Sequence, residues 1–158
     1  MTDMNKITQR AQMALQAGRE IAVRFGHQQV DVEHLLHALL TQEEGLVPQI
    51  LARAKVAVAD LKARVEQELA SRPHVGGDTE AGKIYVTQAL NELLVRAGDH
   101  ARRLKDEYLS VEHLLLAMTD GAAAKTPAGR LLAASGADAK GVLAVLKELR
   151  GNQRVTTD

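Results

Sequence analysis

The sequence predicts an all-α protein made of two tandem repeats of four helices each, and three observations carry that reading. The pentapeptide VEHLL stands at 32–36 and again at 111–115. Around it, residues 7–40 align on residues 86–119 without a gap at an offset of 79, with identity at 11 of 34 positions, so the chain is a duplication. Within each copy the apolar residues recur at helical spacing. Composition agrees: Phe25, Tyr85 and Tyr108 are the only aromatic residues among 158. Alanine and leucine abound instead, a mix suited to close-packed helices, because strands favour aromatic and β-branched side chains. A chain of this length buries roughly 70% of its unfolded surface, enough for a real core.

The elements follow in order. Ile7, Ala11, Ala14, Gly18, Ile21 and Phe25 form one apolar face over five helical turns. The second copy repeats it with Val86, Leu90, Leu93, Ala97, His100 and Leu104. Thr8 and Thr87 are the candidate N-caps, since a threonine oxygen accepts from an otherwise orphaned helical N–H. Small residues at Gly18 and Ala97 allow a neighbouring helix to approach closely. The second helix of each copy begins at Asp31 or Ser110, with Val30–Leu35 and Leu109–Leu114 spaced as hydrophobic staples. Glu33 and Glu112 then lie in a first turn, where a carboxylate complements the helix dipole. After a two-residue insertion in the second copy, ILARAKV (50–56) aligns with LLAASGA (131–137). The third helix of copy two opens at Thr126 with Pro127 in first position and stops at Gly136. Copy one has Pro48 in the comparable place, Lys55 instead of the terminating glycine, and Ala57 where copy two has the capping Asp138. The last helices run near 58–70 and 139–150. The domain therefore divides into repeat one at about 5–70, a connector at 71–83 and repeat two at about 84–150. Residues 151–158, polar and aperiodic, read as the start of a linker.

Other chemistries find little support. Lys+Arg and Asp+Glu both number 20, and there is no cysteine. That balance gives no electrostatic case for nucleic acid or an anionic membrane, and no thiol chemistry. No apolar run approaches the ~18 residues of a membrane span, no signal-peptide core opens the chain, and a cytoplasmic location is expected. GDTEAGKI (77–84) matches the front of a phosphate-binding loop, but Ile84 stands where serine or threonine is needed to hold magnesium. EHLLH (33–37) spaces its histidines three apart and puts the glutamate outside them, unlike a zinc-protease helix. His34 and His113 are expected to hydrogen-bond locally at their helix starts. No metal, cofactor or catalytic residue is assigned. With its stripes used internally, the chain is expected to be a monomer.

The doubled pattern of an [IV]TQ start and VEHLL, the RPHVGG connector and the ending LRGNQRVTTD together resemble the N-terminal domain of the Clp ATPases. Among these the ClpB-type disaggregases are most similar, because a segment like GNQRVT leads there toward the first ATPase module. The resemblance spans residues 4–158. It implies eight helices in two halves related by a pseudo-twofold axis, carried on a hexameric AAA+ ring. It also implies that such a domain engages unfolded or aggregated polypeptides for ATP-driven threading. ATP and magnesium belong to modules absent from these residues, and a DnaK-type chaperone system is the expected partner of the whole protein, with a stress-response role.

By motif, the resemblance assigns substrate binding to Thr8, Asp106, Tyr108 and Glu112, at the rim of a groove between the halves. Protease-coupled relatives of the ClpC type grip phosphoarginine with a repeated Thr/Glu pair. Carried over, that gives Thr8 with Glu33 and Thr87 with Glu112, and marks Glu33 and Thr87 as a second anion or guanidinium site. An adaptor- or phosphoarginine-binding domain is accordingly the alternative reading. On the first reading, Glu112→Gln and Asp106→Ala each impair client binding with little change in melting temperature, and Glu33→Gln does less.

Overall fold

The computed structural model describes residues 6–73 and 84–151. Among them are eight α-helices: α1 Gln9–Arg24, α2 Val32–Thr41, α3 Leu46–Arg53, α4 Val58–Ala70, α5 Gln88–Arg103, α6 Val111–Met118, α7 Pro127–Ala134 and α8 Ala139–Arg150. The register of the duplication holds in three dimensions. The bounds of α5 are those of α1 moved by 79, and α2 and α6 start 79 apart.

Helix starts follow from side-chain chemistry. Thr8 Oγ1 accepts from Ala11 N–H at 3.2 Å, and Thr87 Oγ1 from Leu90 N–H at 3.1 Å. Asp31 and Ser110 each start a helix whose third residue, His34 or His113, accepts from the cap's own backbone N–H at 2.8 Å. This reciprocal arrangement puts imidazole where glutamate usually stands in a capping box. Thr126 and Asp138 cap α7 and α8 by accepting from Gly129 and Gly141 N–H. In half one the corresponding starts of α3 and α4, Gly45 and Ala57, have no side-chain cap.

The VEHLL helices occupy the centre. Every residue of α6 and all but the last of α2 are buried, so these helices are enclosed on all sides. α1 packs on α2 and α5 on α6, while α3 lies against α6 and α8 of the other half, and α7 against α2 and α4. The third helices are thus exchanged between halves, and one core runs through both.

Four details depart from the sequence reading. The chain is not helical throughout: β1 (Gln29–Val30) and β2 (Tyr85–Val86) form a two-residue parallel ladder, and Ile7 bridges Leu109. Moving Ile7–Leu109 and Val30–Val86 by 79 interchanges them, so this pairing is itself part of the symmetry. Two residues before a cap lack the length to announce a strand. Val86 heads its stripe yet is 39% exposed, whereas Ile7 is 2% exposed. Pro48 is the third residue of α3, not the first, and the inserted residues of half two form a 3₁₀ turn at Gly121–Lys125. Lys55 takes the left-handed conformation (φ 67°) that Gly136 takes in half two (φ 99°). The turn is therefore kept at the expense of steric strain. The GDTEAGKI match lies outside the described residues apart from Ile84.

Candidate functional site

The ladders bring the start of each half's first helix against the start of the other half's second helix. On one side, Thr8 N–H donates to Leu109 O at 2.9 Å and Leu109 N–H to Lys6 O at 2.8 Å. Thr8 Oγ1 thereby comes within 3.5 Å of Ser110 Oγ. On the other side, Tyr85 N–H donates to Gln28 O and Thr87 N–H to Val30 O, which places Thr87 Oγ1 2.8 Å from Asp31 Oδ1. The Thr/Glu pairing within one copy, Thr8 with Glu33 and Thr87 with Glu112, is thus replaced by pairing across halves. Each threonine bonds to the helix start of the other half.

The half-two cluster contains Thr8, Ser110, Asp106, Glu112, His113 and Arg150. His113 Nδ1 is bare because it accepts from Ser110 N–H, so its proton is on Nε2 and is donated to Asp106 Oδ2 at 2.6 Å. Arg150 closes a two-pronged pair on the same carboxylate, one prong at 2.9 Å. The Asp106 side chain is 0% exposed, so it is an internal hub and not an open rim residue. Removing it must therefore disturb the fold, contrary to the sequence-based expectation for Asp106→Ala. Burial lowers the pKa of His113, against the opposing pull of Glu112 and Asp106. Tyr108 is half-buried beside the cluster in sequence. Glu112 is 4% exposed, and its Oε1 has no hydrogen-bond partner among the described residues.

The half-one cluster is built from the same positions with different residues. Where half two has Asp106, half one has His27, whose Nδ1 lies 2.8 Å from His34 Nε2. Asp31 N–H occupies His34 Nδ1, so His34 is the donor to His27. Burial, together with His27 and Arg72 nearby, lowers the His34 pKa to about 4. Glu33, fully buried, does more than complement its own helix dipole. Its Oε2 accepts from Ala128 N–H at 2.8 Å in the first turn of α7, and its Oε1 pairs with Arg72. Burial pushes the Glu33 carboxyl up, while Arg72 and the Ala128 N–H hold it down. Glu33→Gln is accordingly not a silent control. Arg72 also reaches Asp31 at 3.4 Å and Glu68 at 3.3 Å. A cleft of about 350 Å³ opens here, lined by His27, Gln29, Asp31, His34, Arg72 and Tyr85 among others.

Sequence reasoning missed both arginines. Their signals were slight: Arg72 follows Glu68 by one helical turn, and Arg150 ends α8. Their targets lie 39 and 44 positions away. His34 and His37 serve different partners, since His37 Nε2 lies 3.1 Å from Glu66. Among the described residues, no group of three or more His, Asp or Glu side chains is arranged to hold a metal ion. Among those residues, too, no helix is long and apolar enough to cross a membrane.

Two exchanged four-helix halves, joined by reciprocal ladders at paired threonine and VEHLL helix starts, define a double-repeat N-terminal domain. Residues 6–133 match the family model of the Clp repeat N-terminal domain, and the chain belongs to that family. Over 156 residues, 98% of this chain, it is 46% identical to the chaperone protein ClpB of Nitratidesulfovibrio vulgaris. It is 41% identical to ClpB of Bacillus anthracis over the same share. In both cases it spans 18% of the relative's length. The Hsp104 N-terminal domain from Candida albicans has the same fold, with a TM-score of 0.80 at 21% identity, covering 96% of each chain. So does the N-terminal domain of the E. coli ClpV1 ATPase, with a TM-score of 0.77 at 19% identity, covering 98% of this chain and 91% of that one.

Proposed function

We propose that this domain is the substrate-engaging N-terminal domain of a ClpB-type disaggregase. It binds exposed apolar segments of unfolded or aggregated polypeptides and passes them to an ATP-driven ring formed by the rest of the protein. The domain itself hydrolyses nothing; ATP and magnesium act in the ring, and a DnaK-type system supplies clients. One observation supports the location of the site above others. Glu112 is a nearly buried carboxylate with an unpartnered oxygen, on α6, whose capping Ser110 meets Thr8 of the other half. A polar group in that condition is destabilising unless something donates to it. Client backbone N–H groups and polar side chains are such donors, and Tyr108 adds an aromatic surface close in sequence. Asp106 acts here by fixing His113 and the helix start, a positioning role.

The test is binding of a permanently unfolded model protein, measured by fluorescence anisotropy. Glu112→Gln is expected to weaken it with the melting temperature unchanged, since no internal partner of Oε1 is lost. Unchanged binding would refute the assignment.

A second reading, an adaptor- or phosphoarginine-binding domain of a protease-coupled Clp ATPase, is favoured by one feature. A guanidinium already sits on the first-turn Glu33.

A further inference from the structure

Glu33 and Glu112 are repeat-equivalent, at the same first-turn position of enclosed helices, and differ in what they hold. Both oxygens of Glu33 are engaged, one by Ala128 N–H and one by the Arg72 guanidinium. Glu112 Oε1 has no partner among the described residues. The arginines of the two halves are not equivalents. Moved by the 81-residue offset of the later helices, Arg72 falls on Gln153 and Arg150 falls on Leu69. Arg150 is taken by Asp106, for which half one has only His27. Half two therefore has no arginine for its glutamate. Arg72 also shows that the position is reachable from outside: its side chain is 23% exposed while it touches a carboxylate that is 0% exposed. Three carboxylates, Glu33, Asp31 and Glu68, surround that single guanidinium. A planar, weakly hydrated fork matches such a seat better than an ammonium.

We infer that Arg72 is a resident occupant that closes the half-one seat, leaving the domain one open seat, at Glu112, for an arginine side chain of a client segment. This rests on the reading that Glu112 engages clients and adds which of two equivalent sites does so. The half-one seat opens only when Arg72 withdraws from Glu33.

The test titrates the domain with a capped pentapeptide of leucines around one arginine, by calorimetry and by NMR. The parent is expected to bind one peptide, at least about tenfold more weakly after Glu112→Gln or when lysine replaces the peptide arginine. Arg72→Ala is expected to bind two, the second lost again in Arg72→Ala/Glu33→Gln. Unaltered binding at Glu112 reports that the variant is folded. Two peptides on the parent, or one on a folded Arg72→Ala domain, overturn the inference. Should the parent bind none at Glu112, the client reading fails, and the occupant is judged by rescue. Millimolar methylguanidinium, but not methylammonium, then raises the melting temperature of Arg72→Ala if the seat is built for a guanidinium. No selective rescue overturns it.

Discussion

Asp106→Ala is the perturbation whose cost the structure fixes most closely. The carboxylate is buried with His113, also 0% exposed, and with Arg150, whose side chain is 12% exposed. Truncation leaves a guanidinium and an imidazole N–H facing a cavity with no acceptor. Breaking one side of a buried pair costs about 3–5 kcal/mol, mostly from the charge left behind. For a domain of this size that corresponds to a fall in Tm on the order of 10 °C. Urea denaturation of the 158-residue chain, followed by far-UV circular dichroism, measures it. Arg150→Met in the same background removes the stranded charge and is expected to recover a large part. A loss below about 1 kcal/mol, the range of an exposed pair, would show that Asp106 is a solvated rim residue and that the hub reasoning is wrong.

Three further outcomes are expected. His34 has its pKa lowered to about 4 in the fold from a model value of 6.5, so its contribution is complete above pH 6.5 and is lost as pH falls toward 4. The unfolded chain binds the extra proton in that window, which amounts to about 3 kcal/mol at most. His113, lowered in the same direction, adds to the loss; urea midpoints across this range check the sum, and His34→Gln should flatten the slope. Ala57→Asp supplies the cap that α4 lacks and Asp138 gives α8, a gain of about 1 kcal/mol by the same denaturation assay. Thr87→Val removes both the α5 cap and the bond to Asp31 and costs about 1–2 kcal/mol, read from thermal melts.

The features legible in the sequence were local or periodic. The 79-residue offset, the helix stripes, the Thr8, Asp31, Thr126 and Asp138 caps and the weak start of α4 all depend on neighbours within a few positions. Illegible features depended on pairs remote in sequence. No periodicity announces that Thr8 meets Ser110, 102 positions away, or that Glu33 caps a helix of the other half through Ala128. For the same reason first-turn glutamates looked like dipole partners, a sufficient explanation until their burial was known. His34 and His113 were read as local hydrogen-bonders, and their Nδ1 atoms are; their Nε2 partners, His27 and Asp106, lie 7 positions back across a loop. The ladders were missed because four residues with one strongly exposed tyrosine carry no strand pattern.

The most direct test of the account maps an unfolded client on the domain by amide chemical-shift perturbation. Binding at the half-two seam predicts the largest changes at Thr8, Tyr108, Ser110 and Glu112, with the equivalent residues Gln29, Asp31 and Glu33 moving little while Arg72 is in place. Changes of equal size in both halves, or confined to the outer faces of α4 and α8, would contradict it.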